Sequence, residues 1–253
     1  MNNRPFSAIL PFYKHKGETP LQALHRLRIE QPELEKEKLS YAGRLDPMAE
    51  GLLLVLVGEA NKERHKFLDL PKTYKVQILI GIETDTYDIL GKVEKVSGNM
   101  SYSAHLLEES LGSFEGCIDL PYPPYSSKTV GGVPLFVLAR SGKLDHALIP
   151  ARAVNIYSIK TLASSIMKGD ELLMYCEENI ALVSGDFRQK EILEMWRREL
   201  EAKTDTSFPV ITVEISCSSG TYMRSLAHKM GKRLGTGAMA LSIIRTAIGD
   251  YSI

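Results

Sequence analysis

This 253-residue sequence lacks the features that mark several common protein classes. Its three cysteines, Cys117, Cys176 and Cys217, form no CxxC pair, so neither a zinc site nor a disulfide framework is indicated and a reducing compartment fits. There is no GxGxxG motif and no P-loop motif, so dinucleotide and P-loop chemistry has no support. No apolar run is long enough to span a bilayer, and the N-terminus lacks the apolar core of a signal peptide. These absences predict a soluble, cytoplasmic protein.

The sequence also lacks an excess of charge of either sign. Its 31 Lys and Arg residues balance its 31 Asp and Glu residues, so net charge predicts no polyanionic partner. A nucleic-acid-binding protein of this composition has to rely on one basic face of its surface. Hydrophobic residues make up 44% of the chain and charged residues 25%, which is typical of globular proteins with one large domain or two small ones.

The most informative segment that is present covers residues 43–58, GRLDPMAEGLLLVLVG. Asp46 stands between a Gly-Arg-Leu entry and Pro47, and the apolar run that starts at Leu52 has the length of a buried strand. A carboxylate in a tight loop at the mouth of a core strand would be exposed on a rigid support, as catalytic groups often are. Asp before Pro is also a common turn without any chemistry, so this segment alone leaves both interpretations open.

Apolar patterning predicts a mixed, mainly antiparallel sheet flanked by helices, which is an α+β fold. Strands are predicted at 7–12, 52–57, 72–80, 152–162, 209–217 and 243–251. A first helix is predicted to start at a Thr19 cap, with Leu21, Leu24 and Leu27 as its buried stripe. A later amphipathic helix is predicted from an Asp186 cap to about residue 203.

Two smaller features complete the predicted helices. The only tryptophan, Trp196, lies on the apolar face of the later helix, where core packing is the favoured interpretation and a docking face for a partner the alternative. Ser103 is predicted to cap a further helix whose apolar face includes Leu107 and Phe114.

Residues 116–142 are predicted to form a long structured loop, because they contain four prolines and a Gly-Gly pair. Long loops in compact domains are often functional. Aromatic rings alternate here with the cations Lys128 and Arg140. Such a segment suits RNA, since rings stack on bases and cations contact phosphates.

Six segments carry more information as an ordered set than any of them does alone. They are Lys14-His15-Lys16-Gly17, residues 43–51 (GRLDPMAEG), Lys72-Thr73-Tyr74, Thr84-Asp85-Thr86 with Asp88 and Gly91, Pro123-Pro124-Tyr125-Ser126 with Ala139-Arg140, and residues 220–226 (GTYMRSL). Over nearly the whole chain they resemble the TruB family of pseudouridine synthases.

The resemblance implies a pseudouridine synthase fold in a single catalytic domain, residues 1–253, with a helical insertion at about 164–206 and no C-terminal RNA-binding PUA domain. It implies an isomerase without cofactor or metal that acts as a monomer on RNA, with uridine in the T-loop of transfer RNA as the target. Such a reaction breaks a C–N glycosidic bond, turns the uracil and rejoins it through C5. It therefore needs a carboxylate beside that bond and a uridine flipped out of its stack.

The resemblance also assigns roles to individual residues. Asp46 would be the nucleophile, Arg224 would hold it ionised and aimed, and Tyr74 would pack on the uracil, its hydroxyl a candidate for handling the C5 proton. The predicted RNA-binding residues are Lys14, Lys16, Tyr41, Gly43, Arg44, Lys128, Arg140 and Ile243. Among these, Ile243 would face the base, the four cations outside the 43–58 segment would contact phosphate or remain solvated surface charges, and Tyr41 stands where the family commonly has a histidine.

Three alternatives stay open at this point. Gly-Arg-Leu-Asp also resembles ribosomal-RNA pseudouridine synthases of the RsuA and RluA type. A non-catalytic RNA-binding protein or RNA-folding chaperone on the same scaffold is the second alternative. A glycosidase is disfavoured because no paired carboxylate is evident. The acidic residues Glu83, Asp85 and Asp88 lack calcium-loop spacing and are predicted to form a hydrogen-bonded turn, which leaves no predicted metal site.

Overall fold

The computed structural model describes residues 7–97 and 104–253 of the chain, so the predicted Ser103 cap lies outside the described residues. The strands are β1 (Ser7–Lys14), β2 (Leu39–Ala42), β3 (Ala49–Gly58), β4 (Lys72–Ile80), β5 (Ile82–Thr84), β6 (Val93–Val96), β7 (Gly116–Pro121), β8 (Thr129–Val130), β9 (Val133–Pro134), β10 (Ala151–Lys168), β11 (Ser207–Cys217), β12 (Ala238–Ile248) and β13 (Tyr251–Ser252). The α-helices are α1 (Pro20–Glu30), α2 (Arg64–Leu68), α3 (Ala104–Gly112), α4 (Leu135–Arg140), α5 (Gly169–Ala181), α6 (Gln189–Leu200) and α7 (Met223–Leu234).

Nine of these strands form one sheet in the order β1-β3-β12-β4-β11-β10-β7, with β2 paired to β3 and β13 paired to β12. Strands β3 and β12 run parallel, and the other neighbouring pairs of this sheet run antiparallel. Two small hairpins, β5–β6 and β8–β9, lie outside it. The predicted mixed, mainly antiparallel sheet flanked by helices is confirmed, and with it the α+β class.

Strand β4 shows how the sheet carries a helical layer on each face. Its side chains alternate between the faces, so Tyr74, Val76, Ile78 and Ile80 lie in one core cluster and Leu79 lies in another. Helices α3 and α7 cover the first cluster, and α5 and α6 cover the second. The strand predicted at 72–80 is therefore confirmed with the same bounds.

Helix α1 covers one end of the sheet. Thr19 caps it in the predicted capping box, which satisfies backbone N–H groups at its first turn. Leu24 and Leu27 are buried as predicted, whereas Leu21 is 59% exposed and the prediction for it is wrong. Ala23 takes its place in the core, because the face that contacts β3 is centred between the two buried leucines.

Helix α6 brings the single tryptophan into the second cluster. Trp196 is fully buried and its indole N–H donates to the Ile89 carbonyl over 3.2 Å, which confirms core packing. The helix begins at Gln189 with Arg188 as its N-cap, so the predicted Asp186 cap is wrong. Asp186 instead accepts the Arg188 backbone N–H in a turn ahead of the helix.

Residues 116–142 contain more regular structure than the predicted loop. Strand β7 forms the edge of the sheet, a β8–β9 hairpin follows, and α4 ends the segment at Arg140. Gly131 and Gly132 have φ angles of 57° and 82°, which suit the two central positions of a tight hairpin turn. The glycine pair therefore connects two strands, where the sequence interpretation took it as a break.

Candidate active site

The loop between β2 and β3 presents Asp46 just ahead of β3, an inner strand of the sheet. The Asp46 carbonyl accepts the Ala49 backbone N–H over 3.1 Å, which closes the turn ahead of β3. Gly51 follows with a φ of 108°, and a Cβ at this position would collide with the backbone of Arg245 in β12. Glycine is therefore required where β3 and β12 pair in parallel. This close approach brings Ile243, which is opposite Ala49 in the register, to the Asp46 loop.

Lys14, at the end of β1, supports the same loop from beneath. It is fully buried, and its ammonium donates to the carbonyls of His15, Pro47 and Ala49. Burial lowers the pKa of Lys14 to about 8, although neighbouring carboxylates including that of Asp46 act in the opposite direction. With its donors directed at backbone carbonyls, Lys14 is a support of the loop, and this placement does not favour the predicted phosphate contact.

Arg224, the second residue of α7, is the partner of Asp46. Its Nε donates to Asp46 Oδ2 over 2.7 Å. The arginine side chain is 3% exposed and the aspartate side chain 34%. The guanidinium is thus buried beneath a carboxylate that remains accessible, and a charge-assisted hydrogen bond of this kind fixes the direction of the carboxylate. The structure therefore brings together Asp46 and Arg224, which lie in motifs far apart in the sequence and were predicted to act as a pair.

Three further groups hold the Arg224 guanidinium in place. Nη1 donates to the carbonyl of Thr86 over 2.7 Å, and Nη2 donates to the carbonyl of Tyr125 over 3.2 Å. The buried carboxylate of Asp88 lies 3.6 Å from Nε. Burial raises the pKa of Asp88 to about 6, while Arg224 acts to lower it. Asp88 also accepts hydrogen bonds from the Thr86 hydroxyl and the Leu90 N–H, so the predicted hydrogen-bonded turn is confirmed.

Tyr74 and Ile243 stand beside Asp46 on adjacent strands. Tyr74, in β4, is opposite Arg245 of β12 in the register, and Ile243 is opposite Val76. Both side chains are largely buried and both reach the wall of the cleft that contains Asp46. Burial raises the pKa of the Tyr74 hydroxyl above its ordinary value of 10.0, so the phenol is protonated at neutral pH.

The cleft around these groups has a volume of about 850 Å³, which is sufficient for a nucleotide. Its walls come from the β2–β3 loop, β4, β12, the start of α7 and the segments around 125–140 and 186–188. The basic side chains that line it are Arg44, Lys72, Arg140, Arg152, Arg188, Arg224 and Arg245. Four aspartates line it as well, so cations outnumber acids seven to four. A chain without net charge thus carries an excess of cations on one concave surface, an arrangement that attracts a polyanion.

The predicted RNA-binding residues fall into two groups. Tyr41, Gly43, Arg44, Arg140 and Ile243 line the cleft with Asp46. The remaining three, Lys14, Lys16 and Lys128, do not appear among the residues that form its walls.

The last two lysines have protein partners of their own. Lys16 donates to the Asn179 side-chain oxygen over 2.9 Å and to the Tyr175 hydroxyl over 3.2 Å, which connects the loop after β1 to α5. Lys128 is exposed, with its ammonium 5.3 Å from the centre of the Tyr122 ring. Lys128 is therefore accessible to a ligand, whereas Lys16 serves first as a link between elements.

Three residues of the site were not assigned a role from the sequence. Asp88 lies in a recognised turn, but nothing in the pattern indicated that it would reach Arg224. Arg245 is 1% exposed and donates to the Leu52 and Arg44 carbonyls, and a single charge within an apolar strand was a usable signal for it. Arg188 lies in a polar stretch without any such signal.

Within residues 7–97 and 104–253, no group of three or more His, Cys, Asp or Glu side chains is arranged to hold a metal ion. Among the acids in and around the cleft, Asp85 is paired with Arg188, and Asp88 lies 3.6 Å from the Arg224 guanidinium. In the same part of the chain, no helix is long and apolar enough to cross a membrane.

Comparison with solved structures supports the fold. The chain aligns with a chain from a Cbf5–Nop10–Gar1 complex at a TM-score of 0.59 and 18% identity, covering 98% of this chain and 50% of that one. It aligns with a chain from an H/ACA RNP bound to a substrate RNA at a TM-score of 0.56 and 17% identity, covering 98% and 49%. At these identities the likeness concerns the fold alone.

Comparison with known sequences supports the family. Residues 31–178 match the family described as TruB family pseudouridylate synthase (N terminal domain). tRNA pseudouridine synthase B of Caldicellulosiruptor saccharolyticus is 33% identical over 220 residues, or 87% of this chain and 61% of that protein. The enzyme of the same name from Aquifex aeolicus is 32% identical over 241 residues, or 95% of this chain and 68% of that protein. The chain thus spans about two thirds of the length of these relatives, and it belongs to the TruB family of pseudouridine synthases.

Proposed function

We propose that this protein isomerises uridine to pseudouridine in the T-loop of transfer RNA, with Asp46 as the reacting group. The observation that carries the proposal is the Asp46–Arg224 pair, in which a partly exposed carboxylate is aimed into a basic cleft by a buried guanidinium. Family membership supports the reaction class, and the names of the curated relatives support transfer RNA as the substrate.

The first step concerns how the uridine enters. A target base has to leave its stack, and the cost is a few kcal/mol. The cleft offers Tyr74 as a flat surface for the uracil and Ile243 as an apolar contact on the neighbouring strand. Arg44 at the cleft supplies positive charge for the flanking phosphates. Arg140 is paired with Asp186 over 3.1 Å, and because that carboxylate is 83% exposed the pair can open to a phosphate.

The second step concerns the bonds that change. As the N1–C1′ bond breaks, the Asp46 carboxylate either bonds to the substrate or stabilises the charge that develops. The uracil then turns and a C5–C1′ bond forms, and a bond made by Asp46 is broken again so that the free carboxylate is restored. The proton on C5 leaves and N1 gains a proton, so the reaction has no net loss of atoms. Because the Tyr74 hydroxyl is protonated at neutral pH, it takes part by relaying a proton and not as a phenolate base.

The experiment is to incubate the protein with an unmodified transfer RNA transcript and, separately, with ribosomal RNA fragments, and then to map pseudouridine in each. We expect product in the T-loop of the transfer RNA. Product only in ribosomal RNA would replace the substrate in the proposal, and RNA binding without product in either would favour a non-catalytic RNA-binding protein. Affinity for transfer RNA should fall as salt rises, because cations at the cleft would release counterions from the phosphates.

The proposal includes the domain organisation and assembly predicted from the sequence. It treats the chain as one catalytic domain with a helical insertion at about 164–206, acting as a monomer without cofactor or metal. Two observations support a single domain: α5 and α6 bury one face of the same sheet that α7 covers from the other side, and Lys16 binds α5. One cooperative unfolding transition and a monomeric mass in solution are the expected results.

A further inference from the structure

Arg188 connects the α5–α6 unit to the cleft. Its guanidinium makes a two-pronged ion pair with Asp85, with Nη1 2.6 Å from Oδ2 and Nη2 3.2 Å from Oδ1. The same guanidinium lies 4.1 Å from the centre of the Tyr125 ring. The Arg188 side chain is 14% exposed and forms part of the cleft wall. One side chain thus holds two segments of the site that come from different parts of the chain.

Both partners of Arg188 belong to the segments whose backbone carbonyls bind Arg224. Asp85 is the neighbour of Thr86, whose carbonyl accepts Nη1 of Arg224, and the carbonyl of Tyr125 accepts Nη2. The remaining donor, Nε, is the one directed at Asp46. The positions of these two carbonyls therefore set the orientation of the guanidinium plane, and that plane sets the direction of the reacting carboxylate.

The backbone at Arg188 is held in a conformation that L-residues rarely adopt. Its φ of 65° and ψ of 23° lie in the left-handed region, which costs of order 1 kcal/mol for a residue other than glycine. The conformation turns the chain from the loop at 183–187 into α6 and directs the side chain toward Asp85. Arg188 lies beyond the segment that matches the family description, which ends at residue 178.

We propose that Arg188 is a positioning residue for the reaction, acting on Arg224 through Asp85 and Tyr125; this rests on the proposed function. A phosphate-binding role is a poorer fit, because the charge of Arg188 is already matched by both oxygens of one carboxylate and one face of its guanidinium covers a ring. Arg188, the N-cap of α6, thereby contributes to the geometry of the site, in addition to the place of α5 and α6 in the core.

The test compares Arg188→Ala and Arg188→Lys with a matched control, Arg197→Ala. Arg197 lies in α6, whose N-cap is Arg188, and it also pairs with a carboxylate, that of Glu177, but it is 57% exposed and is not among the residues that line the cleft. The measurements are the single-turnover rate of pseudouridine formation on a transfer RNA transcript, the dissociation constant for that RNA, and the unfolding temperature. Arg188→Ala should slow the single-turnover step about tenfold, since small misplacements of a reacting group are costly, with RNA affinity within about twofold.

The Arg188→Lys variant and a double variant test whether Arg188 acts through its contact with Asp85. Arg188→Lys keeps the positive charge but loses the two-pronged pairing with Asp85 and the planar face that covers Tyr125, so its rate should lie between those of wild type and Arg188→Ala. If the alanine variant does not fold, the rate of the lysine variant alone tests the inference. Asp85→Asn combined with Arg188→Ala should be no slower than the slower single variant, because the Asp85 carboxylate acts through its ion pair with Arg188, which Arg188→Ala already removes. Arg197→Ala should match wild type.

Several results would overturn the inference. They are an unchanged rate in both Arg188 variants, a loss of RNA affinity with an unchanged single-turnover rate, or multiplying losses in the double variant. If wild-type protein forms no pseudouridine in any RNA, the proposed function fails and the inference fails with it. An active wild type with unaffected Arg188 variants would remove the inference alone.

Discussion

Replacing Arg224 with lysine separates the direction of the Asp46 carboxylate from the presence of a positive charge near it. The arginine uses three nitrogens, directed at Asp46, Thr86 and Tyr125. A lysine ammonium is a single point that can keep about one of these contacts. At about 1.5 kcal/mol for each lost bond from a charged donor, two lost bonds destabilise the fold by ~3 kcal/mol. The carboxylate also loses its fixed direction, and a displacement of about 1 Å would slow the reaction roughly a hundredfold.

Stability of this variant can be followed by urea unfolding with the fluorescence of Trp196, the only tryptophan and a fully buried one. The activity measurement is the single-turnover rate on a transfer RNA transcript under conditions where both proteins are folded. Arg198→Lys is the matched control: its side chain is 68% exposed and paired only with a neighbouring glutamate in α6, so we expect changes within about 0.5 kcal/mol. A variant at Arg224 that keeps both stability and rate would refute the reasoning that the fork aims the carboxylate.

Three further predictions follow from single contacts. Tyr74→Phe keeps the ring but removes the hydroxyl, and it should lower the single-turnover rate about a hundredfold with RNA affinity retained; an unchanged rate would assign the residue to packing alone. Asp88→Asn tests the raised pKa: because burial raises the pKa of Asp88 from 3.8 to about 6, the folded state loses stability as this group ionises, by about 2 kcal/mol between pH 4 and 7. In urea unfolding, the free energy of unfolding of the variant should therefore rise relative to that of wild type between pH 4 and 7. A difference between the two proteins that does not change with pH would contradict this. Lys14→Met removes the donor to three loop carbonyls and should cost about 2 kcal/mol and most of the activity, whereas unchanged unfolding and turnover would show that the ammonium does not support the loop.

Parts of the site could be predicted because local sequence carried a physical requirement. The apolar run that starts at Leu52 indicated a buried strand, and the structure has it in β3 at the centre of the core. Thr19, which lies at the wall of the cleft, indicated the capped start of α1 in the same way. Each of these depends on neighbours in the sequence, so a single chain was sufficient to indicate them.

Other parts depended on contacts between distant segments. From the sequence, Lys14 and Lys16 were predicted to contact phosphate. The sequence cannot show that Lys14 is enclosed by backbone carbonyls or that Lys16 binds side chains of α5. Arg188 lies in a polar stretch and acquires its place only through Asp85 and Tyr125. Long-range packing decides these roles, and apolar periodicity carries no information about it.

The most direct test of the central claim is the single-turnover rate of Asp46→Asn on a transfer RNA transcript, beside that of Asp69→Asn. Both acids line the same cleft, but only Asp46 is paired with Arg224. The account predicts that Asp46→Asn binds the RNA and forms no detectable pseudouridine, while Asp69→Asn retains a rate near that of wild type. Pseudouridine formation by Asp46→Asn at the wild-type rate would contradict it.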